Sequence, residues 1–380
     1  MDRRKLPFPI LSLTPEQEQL CRDRSFQLLD RTLRSYDERD GNDDTGRLTT
    51  PRHHSKLEST RWKQLKSKKH ASLYIERKNS IHRDDNILGG DWKNPMIFIT
   101  VGTIEGGLEE VMLGVETPIV QNLRERERKK ELIYMQPAAF AVLAELAGPT
   151  EANPFQYMGI QWLAMEYTWP LKAVSLSRDF VILASIGTMK RANGDMIGYL
   201  VVQPAKLAQF PPVPNSERSN VIHAAIFKQK EPGLVDVFVQ TYFEPRSPLL
   251  DKAVVHGIWK TVTRLWTAPH LAQMKKMQWC LANCKAQAQY LQHQTSFIRR
   301  GACTKCYERM KWQGNHPKDL FSCVLCGSLT CLKCRVEQIL EIVEERKCTI
   351  TAQRVTVCQA CILFVQRMRP EDIVRQWGER

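Results

Sequence analysis

Residues 178–203 read RDFVILASIGTMKRANGDMIGYLVVQ. Two runs rich in β-branched and aromatic residues, Arg178–Met189 and Met196–Gln203, flank Asn193-Gly194, a pair that takes positive φ easily and so suits a tight hairpin turn. Further on, Val221–Lys230 and Leu234–Phe243 are divided in the same way by Pro232-Gly233. Strands joined by tight turns run antiparallel, because a parallel pair needs a crossover of about a dozen residues or more. The centre of the chain therefore reads as an antiparallel sheet, and a βαβ fold is excluded.

Shorter β-like runs precede this core at Leu73–Lys78, Met96–Thr103, Phe140–Leu146 and Tyr157–Tyr167. A helical stretch from Leu108 to Lys130, broken at Pro118, interrupts them. Residues 14–37 form an amphipathic helix by pattern: Thr14 is the N-cap, Pro15 takes the first helical position and Gln17 completes a capping box. Cys21, Leu28, Leu29, Thr32, Leu33 and Tyr36 then recur at helical spacing. Asp37 to Ser59 is polar and reads as a connection. From Pro248 to about Gln292 the sequence is helical again, with Val254, Val255, Ile258, Val262, Leu265 and Trp266 on one stripe. Leu271, Met274, Met277, Leu281 and Cys284 continue it after a break or kink expected at Pro269. The expected architecture is α+β: a curved antiparallel sheet with a long C-terminal helix packed across it.

The chain has 380 residues, 43% hydrophobic and 25% charged, enough to bury a sizeable core and to exclude wholesale disorder. No apolar run approaches the roughly 18–20 residues that cross a bilayer. Arg3, Arg4 and Lys5 precede a short apolar stretch, Pro7 to Leu13, which its prolines disqualify as a secretory signal. The expectation is a cytoplasmic protein that visits membranes at most peripherally. A net charge of +14 favours acidic partners such as anionic lipid surfaces or nucleic acid.

Nine of the twelve cysteines lie between Cys303 and Cys361. A cytosolic chain keeps its thiols reduced, so a dense cluster reads as metal ligands. Eight of them form four Cys-x-x-Cys knuckles: Cys303/Cys306, Cys323/Cys326, Cys331/Cys334 and Cys358/Cys361. This spacing turns both thiolates of a knuckle toward one ion about 2.3 Å away, and tetrahedral zinc needs two knuckles. Four knuckles imply two zinc ions. Pairing neighbouring knuckles would give two separate beads; interleaving them would give one compact cross-brace.

The eight-cysteine spacing resembles the FYVE family of zinc fingers. That resemblance implies Cys303, Cys306, Cys331 and Cys334 on one zinc and Cys323, Cys326, Cys358 and Cys361 on the other, with Cys348 left over as a small buried hydrophobe. The family's three phosphoinositide-reading elements are missing. Asp319, Leu320, Phe321 and Ser322 stand where a basic box belongs, Gln294 and Phe297 replace a Trp and an Asp, and Thr356-Val357-Cys358 replaces an Arg-Val-Cys. Leu, Phe and Ser cannot make charge-assisted contacts to phosphate, so the fold carries over without its ligand.

Between Trp62 and Tyr290 the chain resembles the START-like, helix-grip lipid-binding domains. The marks are Trp62-Lys63-x-Leu65, Leu73-Tyr74-x-Glu76-Arg77, Gly102-Thr103-Ile104-Glu105-Gly106, Pro154-Phe155…Gly159-Ile160-x-Trp162, Arg178-Asp179-Phe180-Val181 and Gln273-Met274-Lys275-Lys276. The resemblance implies a tunnel for one lipid or sterol between sheet and C-terminal helix. It divides the chain into 1–59, an N-terminal helix and linker; 60–293, a START-like domain; 294–369, a FYVE-like finger; and 370–380, a tail. Met165, Met189, Met196, Met274 and Met277 are adaptable lining candidates, although the lipid-contacting residues are not fixed by sequence.

From Arg299 to Arg369 thirteen Lys or Arg stand against six Asp or Glu, a basic surface for anionic membrane. Met310, Trp312, Leu320 and Phe321 either insert at an interface or form the finger's own core. No catalytic residues are expected: His53 and His54 sit in the linker, His82, His223, His256 and His270 lack a visible nucleophile or carboxylate, and Arg178-Asp179 reads as a structural ion pair. Gly102, Gly106 and Gly107 precede no Lys-Ser/Thr, so no phosphate loop is present. Nucleic acid is disfavoured, since basic residues are not interleaved with stackable aromatics. The leading reading is a non-enzymatic lipid-binding or lipid-transfer protein whose zinc finger contacts membrane or protein. The alternative is a protein-interaction adaptor with a filled cavity.

Overall fold

The computed structural model describes residues 11–41, 57, 59–77, 92, 95–115, 135–167, 177–207, 213, 216–244, 251–292, 303, 305–308, 312–313, 316–317, 321–344 and 349–377. The chain divides between Pro269 and His270 into two compact units. Among the described residues no helix is long and apolar enough to cross a membrane.

The first unit opens with α1 (Pro15–Gly41) and continues with β1 (Trp62–Lys68), β2 (Ala71–Glu76), β3 (Met96–Glu105) and α2 (Leu108–Val115). Then come β4 (Met135–Ala147), β5 (Tyr157–Tyr167), β6 (Ser177–Lys190), β7 (Met196–Pro204), the short β8 (Ser216–Arg218), β9 (Val221–Glu231) and β10 (Leu234–Phe243). These strands form one ten-stranded sheet in the order β1-β2-β3-β10-β9-β7-β6-β5-β4, antiparallel along that path, with β8 parallel to β6. Both hairpin turns fall where the sequence puts them, with Gly194 at φ 90° and Gly233 at φ 82°. α3 (Asp251–Val262) and a 3-10 turn (Thr263–Thr267) close the unit, and α4 (Ala268–Gln292) leads out of it.

Strands such as β6, β9 and β10 are buried on both faces, so each face needs cover. α1 covers one. Its capping box forms as expected, with Gln17 N donating to Thr14 Oγ1 at 3.3 Å and Thr14 N to Gln17 Oε1 at 3.0 Å. Leu28, Leu29 and Tyr36 pack on Ile99, Val101, Ile197, Val201, Ile226 and Phe238, and Cys21 joins a neighbouring cluster with Val181, Leu183 and Trp162. Polar contacts fix the helix in register. Tyr36 Oη donates to Asp236 Oδ2 at 3.0 Å, Arg39 donates to the same oxygen, and Arg191 in the β6–β7 turn grips Asp37 at 2.7 and 2.5 Å.

The opposite, inner face is covered at its hairpin-turn end. α2 lies over Gly198 of β7, where an added Cβ would fall 2.2 Å from Met112 Sδ. The first N–H of α2, on Leu108, donates to Gln229 Oε1 at 2.8 Å. Trp266 of the 3-10 turn lies against Gly102 of β3 and donates from Nε1 to the carbonyls of His70 and Thr103, both at 2.9 Å.

Several expectations change. The helical break comes at Thr263–Thr267, a turn before Pro269, because Thr263 Oγ1 bonds back to the Trp259 carbonyl at 2.7 Å and the ladder tightens there. Pro269 instead takes the first turn of α4, where its missing N–H costs nothing. Asp179 takes its ion pair from Arg218, at 2.8 Å, rather than from Arg178, whose guanidinium lies over the Phe243 ring at 5.3 Å. The reason is the strand pleat, which sends consecutive side chains to opposite faces. The helix expected after Leu108 is described only to Val115; its continuation across Pro118, like the linker histidines, His82 and Cys348, lies outside the described residues.

At Gly102 an added methyl would meet the His70 carbonyl at 2.0 Å, and in the α3 interior at Gly257 it would meet nothing within 4 Å. Gly102→Ala is expected to lower the urea-unfolding free energy by about 1–3 kcal/mol. Gly257→Ala is expected to raise it by about 0.5–1 kcal/mol. Equal effects from both would contradict the close approach of the Trp266 turn to β3.

Candidate metal centres

The second unit, from His270, carries the cysteines. Around them run two pairs of two-residue strands and a long hairpin: β11 (Trp312–Gln313) pairs with β12 (His316–Pro317), β13 (Phe321–Ser322) with β14 (Leu329–Thr330), and β15 (Arg335–Glu344) with β16 (Thr349–Cys358). α5 (Gln359–Arg367) and α6 (Pro370–Trp377) follow. Sequence reading finds few strong periodic signals here, and the β15–β16 hairpin and both helices are new. Glu and Arg on the hairpin's open face mask its alternation, with Arg335 and Arg354 reaching Glu337 at 2.8 and 3.6 Å.

The first two knuckles have the same backbone. In one, Tyr307 N donates to the Cys303 carbonyl at 2.8 Å and Cys303 N to the Glu308 carbonyl at 3.1 Å. In the other, Gly327 N donates to the Cys323 carbonyl at 2.8 Å and Cys323 N to the Ser328 carbonyl at 2.9 Å. Both loops need a left-handed residue just past the second cysteine: Tyr307 at φ 59° and Gly327 at φ 69°. The third knuckle closes more tightly, by Cys334 N to the Cys331 carbonyl at 3.1 Å. The fourth is a helix start, with Cys358 as N-cap of α5 accepting from Cys361 N at 3.4 Å on its sulfur. Backbone amides also point at Cys303 Sγ, from Lys305 at 3.4 Å, and at Cys323 Sγ, from Cys358 at 3.3 Å.

The eight thiols gather into two groups: Cys303, Cys306, Cys331 and Cys334, and Cys323, Cys326, Cys358 and Cys361, the sulfurs of each lying within 4.8 Å of one another. Each group joins alternate knuckles, so the two sites interleave. Cys306 and Cys331 sulfurs are 3.7 Å apart, and those of Cys326 and Cys358 are 3.8 Å apart. A tetrahedron with bonds of about 2.3 Å has edges of about 3.8 Å, so the spacing accommodates a zinc ion in each group.

Charge points the same way. Burial alone would raise the Cys303 thiol, yet the amides of Cys306, Cys331 and Lys305 hold it down at about 6. Its neighbour Cys334 is pushed up to about 12 by burial and by the surrounding thiols. In the second group Cys326 is lowered by hydrogen bonds from Cys323 and Cys361, and Cys361 is raised by Cys323 and Cys326. One thiol in each set ionises most readily and holds its neighbours protonated, and a cation among the sulfurs would favour the thiolate form of all four.

The second group is backed by a small core. Cys323 and Cys358 pack with Leu325, Leu340, Val355, Val357 and Val365, and α4 contributes Met277 and Cys280. Lys276, fully buried on α4, donates to the Gln366 carbonyl at 3.4 Å, near the C-terminal end of α5. Met277 and Lys276 were visible in sequence as part of a helical stripe and of a lipid-domain mark, with nothing to tie them to the cysteines. Phe321 sits at the surface under Arg335, 3.7 Å from the ring centre, whereas the side chains of Met310, Trp312 and Leu320 lie outside the described residues.

Comparison with protein-family models and with curated proteins gives no match. Among solved structures, human StAR-related lipid transfer protein 5 is 13% identical with a TM-score of 0.39, covering 66% of this chain and 96% of its own. Human STARD10 is 11% identical with a TM-score of 0.37, covering 56% and 74%. A STAR-related lipid transfer protein fragment from Xanthomonas axonopodis is 16% identical with a TM-score of 0.34, covering 55% and 98%. At these scores the strand order given above is the firmer description of the fold.

Cys323→Ser removes one sulfur from the second group and the acceptor of the Cys358 amide. Purified Cys323→Ser protein is expected to carry one zinc per chain by elemental analysis where the parent carries two, with the sheet unit still folded by near-ultraviolet circular dichroism. A variant that keeps two ions would contradict the grouping.

Proposed function

We propose that the chain is a non-enzymatic lipid-binding or lipid-transfer protein, in which a START-like unit holds one lipid or sterol and a FYVE-like finger with two zinc ions supplies contact to a membrane or a protein. The observation that carries this reading is the unequal covering of the sheet. α1 seals the outer face, while on the inner face Phe180, Ile182, Ala184 and Val202 are flanked by Tyr157, Leu163, Met165, Leu200 and Val221, all only partly buried. An apolar face left partly open gains about 25 cal/mol for each Å2 it shares with an acyl chain or sterol ring system, with no bond made or broken.

Zinc in this reading is structural: it supplies cross-links, held by Cys303, Cys306, Cys331 and Cys334 and by Cys323, Cys326, Cys358 and Cys361, around which a small core folds. The finger then raises the local concentration of the lipid-binding unit at its target. Placement in the cytoplasm and peripherally on membranes belongs to the same proposal. The exposed pair Leu363 and Phe364 on α5 offers the finger an apolar contact, whether the finger acts at a membrane or, in the adaptor reading, on a protein.

Native mass spectrometry of the purified chain, followed by organic extraction, tests the proposal. The expected result is a mass excess of two zinc ions and one discrete lipid. Two zincs without lipid, even after incubation with mixed-lipid vesicles, would replace the lipid reading with the adaptor.

A further inference from the structure

Strand register defines one row across the inner face of the sheet: Gly159 on β5, Ala184 on β6, Val202 on β7, His223 on β9, Thr241 on β10 and Phe98 on β3. Residues directly opposite in antiparallel strands share a face, so all six sit on the side away from α1. His223 and Thr241 are the two polar members, adjacent at the middle, with Nδ1 and Oγ1 3.0 Å apart. The next row toward the hairpin turns, Tyr157, Ile186, Leu200, Ala225, Val239 and Thr100, is apolar except for the hydroxyls of Tyr157 and Thr100. In the other direction stand Val221 and Phe243, the latter beneath the buried Arg178. Further out, Gln161 donates from Nε2 to Tyr157 Oη at 2.9 Å, and its buried Oε1 has no partner among the described residues.

His223 is partly accessible, as are Leu200 and Val221 on either side of it, whereas α2 and Trp266 cover the opposite end of the face. Burial nevertheless holds the imidazole pKa down at about 4, so the ring is neutral at ordinary pH. With Nδ1 engaged by Thr241, Nε2 has a second partner to find, as donor or acceptor according to tautomer. A hydroxyl both gives and takes a hydrogen bond and satisfies such a pair in either tautomer. A carboxylate or phosphate gains little from a neutral imidazole in an apolar setting.

We propose that the open half of the inner face takes a lipid bearing an uncharged hydroxyl, and that His223 with Thr241 fixes that hydroxyl and selects for it. This rests on the lipid-binding reading above. Sterols, diacylglycerols and ceramides share the required chemistry.

The test uses the full zinc-loaded chain, incubated with phosphatidylcholine vesicles that carry a sterol, the O-methyl ether of that sterol, a diacylglycerol, a ceramide or palmitic acid. Bound lipid is read by native mass spectrometry. The parent is expected to take at least one of the hydroxyl lipids, and where this is the sterol, tenfold or more in preference to its ether. Thr241→Val, which keeps the shape, and His223→Leu are each expected to cut uptake of the preferred hydroxyl lipid about tenfold without lowering uptake of the ether, with thermal unfolding confirming that both variants are folded. Preference for phosphatidylcholine or palmitate would overturn the assignment and move it toward Arg178. So would hydroxyl-lipid uptake unchanged in folded Thr241→Val and His223→Leu. A parent that takes up no lipid of any class overturns the lipid reading itself, a result distinct from a lipid bound without regard to its hydroxyl.

Discussion

A β-strand sends alternate side chains to opposite faces, and in β6, β9 and β10 both sets are mostly buried and largely apolar. A sheet of such strands cannot leave either face to water. On the outer side the solution is a single long helix, held by Leu28, Leu29 and Tyr36 in the apolar interface and by Asp37 and Asp236 at its polar end. Arg39 is nearly buried beside Tyr36 and Phe238, so its pairing with Asp236 also relieves a charge that would otherwise be costly to desolvate. On the inner side the cover is built from short pieces, and each piece is seated by a glycine. Gly198 admits Met112, Gly102 admits Trp266, and Gly114 lets α2 come within contact of the Ala268 carbonyl. Among the described residues, these notches seat α2 and the Trp266 turn at one end of the face.

The second unit obeys a different limit. Its buried cluster is small, and several of its members are the cysteines themselves. Under the proposed zinc binding, the ions replace most of the hydrophobic stabilisation, and the interleaved grouping means that neither ion can be lost without loosening both ends of the segment. α4 extends this core. Met277 and Cys280 enlarge it, and buried Lys276 places a cation at the carbonyl end of α5, where the helix dipole favours one.

How much of this was legible in sequence follows from the range of the interactions. Strand pairs such as β6–β7 and β9–β10 are local: alternation and an Asn-Gly or Pro-Gly turn suffice, and their ends fall within about a residue of the reading. The α1 capping box is local as well. Contacts of long sequence separation were hidden. Asp179 looked paired with Arg178 because they are neighbours, but its partner Arg218 arrives on β8, thirty-nine positions later. A glycine within a strand announces a close approach without naming what approaches, so Gly102 and Gly198 gave no hint of Trp266 and Met112. The knuckle spacing disclosed metal chemistry at once, whereas the membership of α4 in the cysteine core depends on packing that no spacing records. Most informative is His223: in sequence it was one histidine among several without a partner, and only the strand register sets it beside Thr241.

The two equivalent knuckle loops show how the cysteine unit spends stability. Both require a left-handed residue after the second cysteine, and glycine is the unstrained choice, which Gly327 provides. Tyr307 occupies the same position in the other loop and is 81% exposed as a residue, so little packing compensates the roughly 1–2 kcal/mol that a side chain adds there. A structural zinc ion contributes on the order of 10 kcal/mol to the fold that binds it, so the cost is tolerable in a loop closed by metal and would be serious in one closed by hydrogen bonds alone. The same reasoning explains why the first group can sit near the surface, with Cys306 exposed, while the second, around which Leu340, Val355 and Val357 assemble, has the glycine. Under the proposed zinc binding, strain is carried where the cross-link would stand by itself, and the relaxed loop is kept where the cross-link would also have to fit a core.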